Sequence, residues 1–146
     1  MNAKLAKMVE DMKKQTIGVE IEMAEITRQQ AAKVVAKYFG TEHTVRHDGG
    51  SYDSWSCQDQ QGRVWKITRD VSIRASSGIK KAELGTPILT YDDLEDLQEI
   101  ARQLLSNPLT GGVTLSGGEP FAQPEPCLQL AQLAHAHRLT VWTYTG

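Results

Sequence analysis

Glu20 and Glu22 sit two residues apart in Gly18-Val19-Glu20-Ile21-Glu22, each with an apolar neighbour on either side. On a strand, residues at i and i+2 point the same way, so both carboxylates can reach one divalent cation. Mg²⁺ takes a few carboxylates together with phosphate oxygens and water, which makes such a pair suited to a nucleotide–metal site. Glu83, on a separate strand-like run before Thr86-Pro87, can supply a third oxygen ligand. The same spacing also describes an ordinary solvent-facing row of acids. A second chemical feature is Ser116-Gly117-Gly118-Glu119-Pro120. After a parallel strand, a small-residue turn of this kind lets a ligand approach the backbone. Its carbonyls can accept from an ammonium group, and Glu119 adds a charge-assisted bond. Its plainer reading is a Gly-Gly turn before a helix.

The elements that must position these groups follow from periodicity. Residues 1–15 alternate charge with Leu5, Met8, Val9 and Met12, predicting a short amphipathic leading helix. Residues 16–23 read as a strand with Ile17, Val19, Ile21 and Met23 on one face and the two glutamates on the other. Thr27-Arg28-Gln29-Gln30 is a capping box opening a helix with Ala31, Val34, Val35 and Tyr38 as its apolar stripe, stopped at Gly40. Residues 43–74 alternate as a meander of short antiparallel strands that turns at Gln60-Gln61-Gly62 and ends in residues 70–74. Residues 79–84 form a further strand carrying Glu83, and Pro87 closes it or sets it at an edge. Thr90 caps a second helix, with Asp92 and Asp93 in its first turn and Leu94, Leu97, Ala101 and Leu104 buried. After a break at 106–112 come a strand at 113–116, the Gly-Gly turn, a helix from about 126 to 137 and a strand at 140–144, one βαβ unit. The fold class expected is α+β: a mixed, mostly antiparallel sheet on helices with a C-terminal βαβ unit.

Composition sets the outer limits. The 146 residues suffice for one ordinary domain. A net charge of −2 gives no electrostatic footprint for nucleic acid or an anionic membrane. No apolar run approaches the roughly 18–20 residues that span a bilayer, and a cytoplasmic location is the expectation. Cys57 and Cys127 stand alone, so neither a zinc site nor a three-thiolate 4Fe-4S cluster is expected. His135 and His137, at i and i+2 on a helix, do not face the same way. The three tryptophans are expected in the core.

Residues 16–105 resemble the amidoligases, relatives of the glutamine synthetase and glutamate–cysteine ligase superfamily. The likeness rests on Gly18-Val19-Glu20-Ile21-Glu22, Gly50-Ser51-Tyr52-Asp53-Ser54-Trp55, residues 59–65, Asp70-Val71-Ser72-Ile73, Ala82-Glu83-Leu84-Gly85-Thr86-Pro87-Ile88-Leu89 and the helix after them. The resemblance implies ATP-dependent amide formation between a small-molecule or peptide carboxylate and an amine. On it, Glu20 and Glu22 hold the Mg²⁺ of Mg-ATP, and Glu83 adds a ligand or receives the amine's proton. Asp70 and Arg74 then flank the substrate, unless they are a local surface ion pair. The family usually carries Gly where Val71 stands, so Val71 is expected to stiffen the turn holding Asp70. The family also continues into a histidine-containing strand and further helices, so the segment is expected to be a truncated member.

Residues 112–123, 128–134 and 141–146 look like the central part of a radical SAM anaerobic ribonucleotide reductase activating protein. That resemblance implies that Gly117, Gly118 and Glu119 contact S-adenosylmethionine, with Thr143 and Tyr144 near the site. Cluster cysteines are absent upstream of residue 111, so the radical reaction is not expected. The leading expectation is therefore an amidoligase-like protein with segments 1–15, 16–106, a junction at 107–112, and 113–146. A remnant of the radical SAM activase is the first alternative. An inert association module, self-associating through unpaired strand edges, is the second.

Overall fold

The computed structural model describes residues 2–106, 112–118 and 124–143. The leading helix α1 (Ala3–Lys13) starts at Asn2, whose side chain accepts from the Leu5 N–H at 2.8 Å. It buries no residue, and Leu5 and Met8 are exposed. Strand β1 (Thr16–Ala24) then alternates strictly, with Ile17, Val19, Ile21 and Met23 buried. Helix α2 (Arg28–Phe39) carries both halves of the Thr27/Gln30 capping box and ends on Gly40 in the left-handed region at φ 69°. Its buried stripe is Ala31, Ala32, Val35, Ala36 and Phe39, one position round from the stripe expected. Val34 and Tyr38 only flank it, because the small alanines let the helix sit close to the sheet.

Strands β2 (Arg46–Gly49), β3 (Ser54–Gln58) and β4 (Val64–Thr68) form the expected meander. The segment after it differs from expectation. Residues 70–74 form a turn, and Gly78–Lys80 a 3-10 turn, so the next strand, β5, is Lys81–Gly85. A short β6 (Leu89–Thr90) follows Pro87, and a 3-10 turn (Tyr91–Asp93) leads into α3 (Leu94–Leu105). The stripe expected for α3 is buried, joined by Ile100 and Leu105. Beyond it lie β7 (Gly112–Gly118), α4 (Pro124–Ala136) and β8 (Thr140–Thr143).

All eight strands among the described residues belong to one sheet, ordered β2-β3-β4-β5-β1-β7-β8, with β6 pairing the start of β1. Every pairing is antiparallel except β7 with β8. The βαβ unit therefore docks on the free side of β1 and extends an open sheet. Gly117 and Gly118 were expected in a turn; they lie inside β7, where Gly118 pairs with Ile17 across a register shift. The long free edge of β1 offers backbone partners that a turn there would leave unused.

One apolar cluster joins the buried face of the sheet (Val19, Ile21, Trp65, Ile67, Leu84) to α2, α3 and α4. Trp65 is buried as expected and Trp55 packs at the margin, but Trp142 is 65% exposed on β8. Strand β8 is one outer strand of the sheet and β2 the other, so Trp142 has sheet on one side only. Cys57 is buried, and burial pushes its thiol up to about 12. No described helix is long and apolar enough to cross a membrane.

The β7–β8 pairing rests on Gly112. A Cβ there would meet Thr140 Oγ1 at 2.8 Å and Thr140 O at 2.9 Å. Gly112→Ala is therefore expected to cost about 1–3 kcal/mol and to loosen α4 and β8 first. Limited proteolysis should show cleavage after residue 112 well before residues 16–105 are cut; an unchanged digestion pattern would contradict this pairing.

Candidate functional site

The face of the sheet opposite the helices carries the acids. Across it, Thr68 of β4 pairs with Glu83 of β5, Glu83 with Glu22 of β1, and Glu22 with Gly112 of β7. Next to that row, Lys66, Gly85, Glu20 and Thr114 are aligned in the same way. Two glutamates directly opposite one another on adjacent strands repel, and such a pair is destabilising on its own. Gly85 adds no side chain beside Glu20, and the nearest atom to a Cβ there would be the Lys66 carbonyl oxygen at 3.8 Å.

Asp70 reaches the same spot from the loop after β4. One ligand oxygen from each of Glu22, Asp70 and Glu83 lies within 4.8 Å of the others. Asp70 is fixed by its own turn: its Oδ1 accepts from the Ser72 N–H at 2.8 Å and the Ser72 hydroxyl at 2.7 Å. Val71 takes no left-handed conformation and points outward, 72% exposed. The turn therefore forms without the glycine usual at that position.

The electrostatics match the crowding. Burial, then the charges of Glu20, Asp70 and Glu22, push Glu83 up to about 7. Burial, then Asp70 and Glu20, raise Glu22 as well. Burial also opposes ionisation of Asp70, but the bonds from Ser72 and Glu83 and the charge of Lys81 outweigh it, and its carboxyl lies below the ordinary value. The closeness of Asp70 and Glu83 lowers the first and raises the second. Three half-buried carboxylates held this close form an oxygen-donor set of the kind that a hard divalent cation takes. Such a cation would remove the repulsion that raises Glu83 and Glu22.

Of the residues expected at a site, Glu22, Glu83 and Asp70 come together. Glu20 faces the same way one row along, outside the three-ligand cluster, and acts on it through its charge. Arg74 lies exposed in the loop and forms no ion pair with Asp70. Gly117 and Gly118 are strand residues and Thr143 ends β8. Glu119 and Tyr144 lie outside the described residues, as does residue stretch 107–111 of the expected junction.

Beside the acids is a cleft of ≈ 310 Å³ lined by Tyr52, Thr68, Arg69, Asp70, Val71 and Glu83. Tyr52 and Arg69 were not singled out from the sequence. Tyr52 carries a signal only through its place in the Gly50–Trp55 motif, and Arg69 carries none beyond adjoining Asp70. A larger groove of ≈ 580 Å³ lies on the helical side. It is lined by surface side chains such as Glu95, Gln98, Gln132 and the mutually paired Glu99 and Arg102.

The loops that bring Tyr52 and Asp70 to the site are tied to α2 by Arg28. Its buried guanidinium donates to Asp53 O at 2.8 Å, Asp53 Oδ2 at 2.6 Å, Gly78 O at 3.1 Å and Lys81 O at 2.7 Å. One side chain thus joins the β2–β3 turn to the segment leading into β5.

The site is thus an open, mostly antiparallel sheet, backed by helices and bearing clustered acids on its bare face. Residues 13–111 match the family described as "Putative amidoligase enzyme", and the chain belongs to that family. The matched stretch contains Glu20, Glu22, Asp70 and Glu83. No curated protein and no solved structure matches the chain. Nothing in these comparisons supports the radical SAM resemblance of residues 111–146.

Proposed function

We propose that this protein is an ATP-dependent carboxylate–amine ligase whose metal site is Glu22, Asp70 and Glu83, with Glu20 alongside. The observation that carries this reading is the convergence of those three carboxylates on the bare face of the sheet in a member of an amidoligase family. Amide formation of this kind requires a carboxylate oxygen to attack the γ-phosphorus of ATP, with ADP leaving. The amine nitrogen then attacks the acyl carbon, phosphate leaves and the amine gives up a proton. Mg²⁺ bound with ATP would supply neutralisation of phosphate charge.

The chain's own residues divide the remaining work. Glu22 and Glu83 are held rigidly by paired strands, and Asp70 is held by Ser72, so the donor set is preorganised. Glu83 lines the cleft beside Asp70, where it would add a ligand or receive the amine's proton. The substrates are a small-molecule or peptide carboxylate and an amine, and the setting is the cytoplasm, where Mg-ATP is supplied.

Manganese titration followed by electron paramagnetic resonance tests the reading. Wild-type protein should bind one Mn²⁺ at about pH 8, more tightly with ATP present. Asp70→Asn should weaken that site at least ten-fold, because it removes one of about three anionic ligands. Equal Mn²⁺ binding by Asp70→Asn would mean that the acids are only a solvated row.

A further inference from the structure

Arg69 is the unexplained group at this site. Its Nε is buried and has no hydrogen-bond partner, and its guanidinium makes no ion pair with any described residue. A buried donor left unmade costs about 1–3 kcal/mol, more when it is charged. The buried guanidinium of Arg28, by contrast, spends its donors on four contacts. Arg63 likewise spends its own on Asp59 and Asp93. Arg69 is also placed deliberately: its backbone N–H donates to Tyr52 O at 3.0 Å, joining the end of β4 to the turn that carries Tyr52. Arg69 lines the cleft together with Asp70 and Glu83.

We propose that Arg69 is the subsite for the carboxylate of the acid substrate, and that this acid carries an apolar or aromatic body lying between Tyr52 and Val71. This rests on the ligase reading of the same cleft and names the class of acid it accepts. The Nε–Nη edge of a guanidinium is a two-donor fork that takes a carboxylate or a phosphate. Two features select the carboxylate. The cleft already contains the acids Asp70 and Glu83, which repel a dianion more than a monoanion. The remaining walls are the ring of Tyr52 and the side chain of Val71, 64% and 72% exposed, which would gain by covering an apolar body. A carboxylate docked on Arg69 is adjacent to the acids proposed to hold the metal, which is where phosphorylation of that carboxylate must occur. Arg69 therefore takes the substrate-flanking role that the family resemblance implies for Arg74, five residues further along the loop.

The test is arginine Nε–Hε NMR on the full chain, with the Arg69 signal assigned by its loss in Arg69→Lys. Phenylacetate should shift that signal saturably and at least ten-fold more tightly than acetate, while inorganic phosphate leaves it in place. Arg69→Gln should lose phenylacetate binding at least ten-fold yet bind Mn²⁺ as wild type does. A signal unmoved by phenylacetate, or an Arg69→Gln variant that binds phenylacetate normally, overturns the proposal. An equal shift with phosphate overturns it in favour of a phosphate subsite. Because the Arg69 signal is read without metal, failure of Mn²⁺ binding would sink the ligase reading separately and leave the carboxylate subsite standing.

Discussion

Without divalent cations, this protein is expected to lose about 2 kcal/mol of stability between about pH 5 and pH 8, chiefly through Glu83. Its folded-state value of about 7 is raised from 4.5 by burial and by Glu20, Asp70 and Glu22. The sign follows from linkage. Below the unfolded value the group is protonated in both states and costs nothing. As pH rises from there to about 7, only the unfolded chain releases the proton freely, so stability falls with pH until both states are ionised. Glu22, raised for the same reasons, adds to the loss in the same direction. The depressed acids Asp53, Asp70 and Asp93 contribute stability that is lost only at more acidic pH, so they do not mask this window.

Thermal melts at several pH values check this. Wild type should melt about 4–8 °C lower at pH 8 than at pH 5. Mg²⁺ or Mn²⁺ at pH 8 should restore most of that by binding only the folded state. Glu83→Gln should flatten the pH dependence, melt above wild type at pH 8 and no longer respond to the cation. A Glu83→Gln protein with the wild-type pH slope would place the repulsion elsewhere.

The largest loss from a single substitution is expected at Arg63, far from the acids. Its guanidinium grips Asp93 with two bonds, Nη1–Oδ2 at 2.9 Å and Nη2–Oδ1 at 2.8 Å, and donates from Nε to Asp59 Oδ2 at 2.8 Å. Asp59 is buried and also accepts from the Gln61 and Arg63 N–H groups and Trp65 Nε1. Asp93 accepts from the N–H and hydroxyl of Thr90 and so caps the turn into α3. Arg63→Met would leave two buried carboxylates without their cation. The cost is about 3–5 kcal/mol, read as a lower urea midpoint. Arg63, foremost among its partners, holds Asp93 below the usual carboxylate range. The wild-type pair therefore adds stability above the unfolded carboxylate value, lost as pH falls through the folded one. The penalty in Arg63→Met should accordingly hold from about pH 7 down to about pH 4 and shrink only below that. A penalty under about 1 kcal/mol at pH 7 would mean that solvent already screens the pair.

Much of this was legible in the chain. The alternation of residues 16–23 put Ile17, Val19, Ile21 and Met23 on one face and Glu20 and Glu22 on the other, and β1 is built that way. Local hydrogen bonding wrote the Thr27/Gln30 box and the Gly40 stop into the sequence. The stripe of α2 was misplaced by one position because alanines, weak in hydrophobicity, mark the close-packed side. The turn at 70–74 looked strand-like because Val71 and Ile73 are β-branched, yet Asp70 and Ser72 hold the backbone in a turn. Trp142 is exposed because it lies on an outer strand, which composition does not reveal.

Sequence alone determined which residues share a face, where helices start and stop, and that two acids point to the same side of one strand. These depend on neighbours within about four residues. Tertiary structure alone decided that Glu83 pairs with Glu22 and that Asp70 returns to the same spot from its loop. It also left Arg69 beside them with its Nε unmatched. Register between distant strands and the course of a loop are set by how the whole apolar face packs, and no local pattern encodes them.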